Sequence, residues 1–178
     1  MSVAASSPPK NPAGDYSPEI NIPAARRNEL IAEYAAAPGQ LRELLAKLSP
    51  AQLDTYYKNW TIRQITHHLA DSHVNTYIRF KVALTEDNPT IKPYDETKCA
   101  ELPDAKSGDL APSLALLEAV HTRLVESLKT MTDSDFARTY YHPESKKSYR
   151  LDEALNLYVW HSRHHIGQIA WIVKDRGW

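Results

Sequence analysis

Tyr158-Val159-Trp160-His161-Ser162-Arg163-His164-His165-Ile166-Gly167-Gln168 holds three of the chain's eight histidines within five positions. The apolar residues around it, Leu151, Ala154, Leu155, Tyr158, Ile169, Ile172 and Val173, recur at three-four spacing. That period predicts a helix over 151–176, with Gly177 supplying a left-handed stop. At about 100° per residue, His161 and His165 fall inside the apolar sector and His164 at its edge. Residues four apart share one helix face, one turn apart. Two imidazoles buried there without partners would cost on the order of several kcal/mol. Either they are core histidines satisfied by Tyr or backbone groups, or they grip one metal ion together. Shared ligation is the reading adopted, and it requires a third ligand from elsewhere in the chain.

Three further helical patterns precede this one. Leu30, Ile31, Tyr34, Leu41, Leu44, Leu45 and Leu48 mark a helix over 24–48, with a kink expected near Ala37 because Pro38 interrupts it. Thr61-Ile62-Arg63-Gln64 has the form of a capping box and opens a second helix running to about Thr85. Leu114, Leu117, His121, Leu124, Leu128 and Met131 mark a third over 110–131. Between the second and third, residues 86–109 contain Asn88-Pro89, Lys92-Pro93, Pro103 and Ser107-Gly108, and read as loop with one short turn around Glu96–Leu102. Residues 132–149 also read as loop, and no strand period stands out. Four amphipathic helices without a sheet make an all-α four-helix bundle. The long 86–109 connection suits a crossover that leaves helices two and three parallel. Residues 1–22, rich in Ser, Pro, Ala and Asn, are expected to form an extended N-terminal arm, and residues 23–178 a single domain.

Composition narrows the partners. With 178 residues the chain is one domain's length. Its 21 basic and 22 acidic side chains nearly cancel, which favours neither nucleic acid nor an anionic membrane. It lacks the run of roughly 18 apolar residues that a spanning helix needs, and the N-terminus lacks a secretory pattern. One cysteine, Cys99, excludes an internal disulfide and a cysteine-based zinc site. A cytoplasmic location is the expectation.

The third ligand is not settled by periodicity. On the second helix His67 points away from the apolar line, His68 flanks it and His73 falls within it. His68 and His73 therefore compete. His121 lies in the third helix's stripe and is a further candidate, though a core histidine bonded across the bundle is its simpler reading. His142, in a Pro-containing loop, reads as surface.

Trp60-Thr61-Ile62-Arg63-Gln64-Ile65-Thr66-His67-His68-Leu69-Ala70-Asp71-Ser72-His73, together with the stretch quoted first, resembles the DinB-like superfamily, and within it the YfiT branch of metal-dependent hydrolases. Tyr77-Ile78-Arg79-Phe80-Lys81 and Ile91-Lys92-Pro93-Tyr94-Asp95-Glu96 match that branch as well. The likeness covers residues 15–178. A single His-Leu after a Trp-Ser/Thr start marks the superfamily, and the doubled His-His-Leu-Ala-Asp-Ser-His is narrower. The resemblance implies that the histidine before Leu, His68, is the first ligand, with His161 and His165 the other two. It implies one divalent ion per subunit, Zn²⁺ in first place and Ni²⁺ as the alternative, in a homodimeric four-helix bundle with helices two and three parallel. Two positions depart from the branch: Ser162 stands where Gly is usual, and Gln168 where a further His is frequent.

Three neutral imidazoles would leave such an ion an open coordination position, the mark of a catalytic rather than a structural site. Water there can be acidified to a pKa of about 7, which suits hydrolysis of an ester or amide in a small-molecule substrate. The same position can take a low-molecular-weight thiol as thiolate, which suits an S-transferase of the kind found among DinB-like proteins. A third reading is a metal-binding stress protein without turnover. The ligands' second nitrogens need acceptors, for which Asp71, Glu153 and the Tyr158 hydroxyl are the candidates. No general base stands out; Asp71, Glu153, His73 and His121 are each more simply read as structural or surface groups. Tyr94, Asp95 and Glu96 read as plain connection, and Cys99 as an ordinary small residue.

Overall fold

The computed structural model describes residues 7–178. Four long helices make the frame: α1 (Ala24–Leu45), α2 (Ile62–Thr85), α5 (Leu110–Thr130) and α7 (Leu151–Arg176). Short elements join them. A hairpin of β1 (Tyr56–Tyr57) and β2 (Trp60–Thr61) leads into α2. The crossover to α5 contains two single-turn helices, α3 (Glu96–Ala100) and α4 (Pro103–Ser107). After α5 come α6 (Asp133–Ala137) and a second hairpin, β3 (Thr139–His142) with β4 (Lys147–Arg150). The expected turn around Glu96–Leu102 is α3, α4 is a second turn beyond it, and the expected loop over 132–149 holds α6 and a hairpin. Thr90 bridges to Tyr141 and anchors that hairpin on the crossover. Its alternation is too short and too evenly polar to stand out as a strand period.

In the bundle each helix packs on two neighbours, in the ring order α1, α5, α2, α7. Cross-helix pairs give the directions. Arg63 bonds Gly108, His67 bonds Ser113 and His73 meets His121, so α2 and α5 run parallel. Arg42 pairs with Glu118, and the Tyr34 carbonyl with His121, so α1 and α5 run antiparallel. Arg79 meets Tyr158 while His68 meets His161, so α2 and α7 are also antiparallel. The four-helix bundle with parallel second and third helices is therefore as expected.

The α2 N-terminus has its full capping box. The Gln64 amide donates to Thr61 Oγ1 at 3.2 Å, and Gln64 Oε1 accepts from the Thr61 amide at 3.0 Å. Its last carbonyls are taken by Arg138, which donates to Ala83 and Glu86 at 2.6 and 2.7 Å. Gly177 closes α7 at φ 68°. The helix α1 continues through Pro38 and ends at Leu45.

Residues 7–22 hold no helix or strand and lie along α7. A Cβ added at Gly167 would come within 3.2 Å of Pro12, the Trp160 indole donates to the Gly14 carbonyl at 2.9 Å, and the Ile22 amide donates to Asp152 at 3.1 Å. The first six residues of the expected arm lie outside the described residues. Among the described residues no helix is long and apolar enough to cross a membrane.

The core is two apolar clusters rather than one. One gathers Tyr34, Phe80, Leu124, Leu151 and Leu155; the other gathers Leu41, Ile62, Leu69, Leu117 and Ile169. On α2 the buried His73 sits between Leu69 and Phe80, and on α5 His121 sits between Leu117 and Leu124. On α7, His161 and Ser162 sit between Val159 and Ile169. A polar layer thus crosses the bundle at mid-height. Replacing Thr61 with Ala removes one half of the capping box; a loss of about 1 kcal/mol of unfolding free energy is expected, measured by urea denaturation.

Candidate metal centre

His68 from α2 and His161 and His165 from α7 meet in this polar layer, each offering a ring nitrogen within 4.8 Å of the others. The Nε2 atoms of His68 and His161 are 3.2 Å apart. With Zn–N bonds of about 2.0–2.1 Å, a tetrahedral edge is about 3.3–3.4 Å, so the spacing suits a shared ion. The Trp60 indole, from the residue two before α2, lies against His68 and His165 at ring distances of 4.7 and 6.2 Å. It walls one side with apolar surface. Burial keeps the imidazoles neutral: it lowers His68 to about 4, and it holds His161 and His165 well below the usual histidine range, with repulsion between the rings adding to it. Neutral imidazoles are the form that ligates.

The protons can be placed from the hydrogen bonds. Pro38 has no N–H, so α1 cannot satisfy the carbonyl of Tyr34, one turn back. His121 Nδ1 stands 2.7 Å from that carbonyl and must donate to it. Burial lowers His121 to about 4, so its ring is neutral and Nε2 is left as acceptor. His73 Nδ1, 2.9 Å away, therefore carries the proton between them. His73 is fully buried and neutral, which makes its Nε2 an acceptor in turn. The next ring nitrogen, His161 Nδ1, lies 3.4 Å from it and donates. The chain ends with His161 Nε2 as a bare lone pair aimed at His68. Tyr34 stacks flat on His121, centroids 3.8 Å apart and planes 3° apart, holding that ring in register.

His165 is oriented separately. Gln168 Oε1 accepts from His165 Nδ1 at 2.8 Å, and the Gln168 amide nitrogen donates to His164 Nε2 at 2.9 Å. The Gln168 amide thus bridges the two rings and fixes the orientation of His165. His164 stacks on Trp160 at 4.9 Å, outside the cluster.

The structure brings together the residues chosen from the sequence and moves several others. None of the expected tautomer partners serves: Glu153 is ion-paired with Lys147, the Tyr158 hydroxyl accepts from Arg79 at 2.5 Å, and Asp71 is exposed. His67, expected to face away, is buried against α5 with Nδ1 2.7 Å from Ser113 Oγ, because the parallel α5 and the crossover cover that face of α2. His142, expected at the surface, and Tyr94, Asp95 and Glu96, expected to be plain connection, line a cavity of about 440 Å³ that His161 also borders. The long crossover was the available signal for that wall; nothing local in the sequence marked His142.

Two measurements follow from the placed protons. Long-range ¹H–¹⁵N spectra of the metal-free protein should find Nδ1 protonated in His121, His73, His161 and His165. The unfolded chain protonates these rings below about 6.5, while native His68 and His121 resist until about 4. Stability of the metal-free protein should be complete above pH 6.5 and fall as the pH drops toward 4, on the order of 3 kcal/mol for each of these two rings, read by denaturation at stepped pH.

Comparison with known proteins places this geometry in a family. The DinB superfamily model matches residues 33–169. YfiT of Bacillus subtilis, described as a probable metal-dependent hydrolase with an unusual four-helix bundle topology, is 45% identical over 169 residues, covering 94% of this chain and 95% of that protein. Its solved structure superposes with a TM-score of 0.92 over 94% of this chain and 97% of its own. A relative from Oceanobacillus iheyensis with a similar description is 42% identical over 95% of this chain and 98% of its own length. A mycothiol-dependent maleylpyruvate isomerase shares the fold at a TM-score of 0.61 and 15% identity, over 84% of this chain and 63% of that one.

Proposed function

The chain belongs to the DinB superfamily, and on that premise we propose that it is a metal-dependent hydrolase in which His68, His161 and His165 hold one divalent ion. The observation that carries the reading is three neutral imidazoles, their ring nitrogens within 4.8 Å of one another, one of which, His161, borders a cavity sized for a small molecule. When bound, an ion held by three neutral ligands supplies Lewis acidity at an open position. The protein's own part is orientation. His73 fixes the ring of His161 and Gln168 that of His165, so that both present Nε2. Trp60 keeps bulk water from one side of the cluster. Zn²⁺ is the ion proposed first, with Ni²⁺ as the alternative, since imidazole suits both. We place the enzyme in the cytoplasm, in keeping with its single cysteine, and take it as a homodimer on the resemblance to the YfiT branch alone.

A second reading is thiol transfer, in which the open position receives a low-molecular-weight thiol. It is favoured by the small-molecule cavity beside His161 and by the name of the mycothiol-dependent fold neighbour, whose 15% identity speaks for the fold alone. A non-catalytic stress role is the third.

His68→Ala, His161→Ala and His165→Ala should each abolish stoichiometric metal, read by elemental analysis; full retention in any one would remove that residue from the site. Addition of a cellular thiol to the Co²⁺-substituted protein separates the first two readings. A new thiolate-to-metal absorption band would favour transfer, and an unchanged spectrum would favour hydrolysis. Chelation that leaves the helices folded would speak against a purely structural ion.

A further inference from the structure

The cavity beside His161 holds a cation that makes no ion pair. Arg79 of α2 lines it, and among the described residues no carboxylate lies within 4.0 Å of its guanidinium. Among the described residues that guanidinium donates one hydrogen bond, from Nη1 to the Tyr158 hydroxyl, and its Nε is buried without a partner. The Tyr158 oxygen accepts that bond, so its own proton is still available to donate. The Tyr94 hydroxyl stands beside Ser72 but completes no hydrogen bond of normal geometry. His142 Nδ1 is buried without a partner as well. Half of the six buried, unpartnered side-chain polar atoms among the described residues therefore belong to residues that line this one cavity. They come from α2, the crossover and the β3–β4 hairpin, three segments far apart in sequence. Buried donors left unpaired cost free energy, and a charged one costs most, so their convergence beside a candidate metal centre calls for a ligand acceptor.

We propose that this cavity recognises a substrate carrying a carboxylate, held by the Arg79 guanidinium with the Tyr158 and Tyr94 hydroxyls, so that the rest of the molecule is presented toward His161. A planar carboxylate matches the guanidinium fork. The Asp95, Glu96 and Glu144 side chains on the other wall oppose any anion, and a carboxylate brings one negative charge against them where a phosphate dianion brings two. Those acids leave Glu96 with a raised pKa, through burial first and then through Asp95 and Glu144, a wall short of positive charge. The inference rests on the metal-centred reading for what happens to the bound molecule, but not for the binding itself.

Succinate titrated into the full-length zinc-loaded protein tests it, with the Arg79 Nε–H followed by ¹H–¹⁵N NMR. A saturable shift of that signal is expected. Arg79→Met should weaken binding about tenfold or more, and Arg79→Lys, which keeps charge but loses the fork, should retain part of it. Succinate that perturbs the histidine ligands without moving Arg79 Nε–H would overturn the proposal. So would Arg79→Met binding as well as the parent, or inorganic phosphate binding as tightly as succinate. If Arg79→Met does not fold, the parent titration decides alone. If the protein takes up no zinc, the same titration is run without metal, so that failure of the metal reading and failure of this one are seen separately.

Discussion

The carbonyl of Tyr34 is the constraint from which the polar layer follows. A proline one turn later leaves it without a donor inside α1, and its burial rules out water as a substitute. His121 answers it at 2.7 Å, and each neutral ring then dictates the tautomer of the next: His121, His73, His161. A backbone defect in α1 thus sets, through rings on α5 and α2, which nitrogen His161 on α7 offers, so the relay spans all four long helices. Had any ring in the chain been charged, the alternation of donor and acceptor would break. Burial is therefore part of the same device, since it disfavours the charged form of every member.

This also accounts for the division of the core. Two apolar clusters pack above and below the layer, and each supplies the burial that keeps the rings neutral. A single continuous hydrophobic core would have been easier to stabilise. Here the bundle tolerates five imidazole rings at mid-height because almost every nitrogen has a partner: a carbonyl, another ring, or the Gln168 amide.

What could be read from the sequence follows the range of the physics involved. The four helices, the Thr61–Gln64 capping box and the Gly177 stop are local, and each was legible from a few neighbouring residues. The shared face of His161 and His165 was legible for the same reason. The choice of His68 over His73 was not, because both lie near one helix face and only the docking of α7 tells them apart; it came from the likeness to a family. Pro38 illustrates the limit most clearly. Its sequence position announces a missing hydrogen bond and suggested a kink, but the replacement donor lies 83 residues away at His121 and could not be foreseen. His67 was misjudged because amphipathic periodicity assumes one solvent face, whereas α2 is covered on its outer side by α4 and a parallel α5.

The parallel pairing of α2 and α5 has a consequence beyond packing. Two parallel neighbours cannot be joined by a tight turn; the chain must travel back the length of the bundle between them. That return is the 86–109 segment, and it passes over the end of the histidine layer that faces Arg79. Its Thr90 pairs with Tyr141, which ties the β3–β4 hairpin to the same place. Tyr94 and His142 reach the cavity wall through these two tethered segments rather than through any helix. An up-down-up-down bundle of the same four helices could bury the same histidines, yet its short turns would leave that flank of His161 open to water. The topology that makes the connection long is thus also what walls the cavity next to His161, and a walled cavity lined by polar groups is what separates a candidate active site from a buried polar seam.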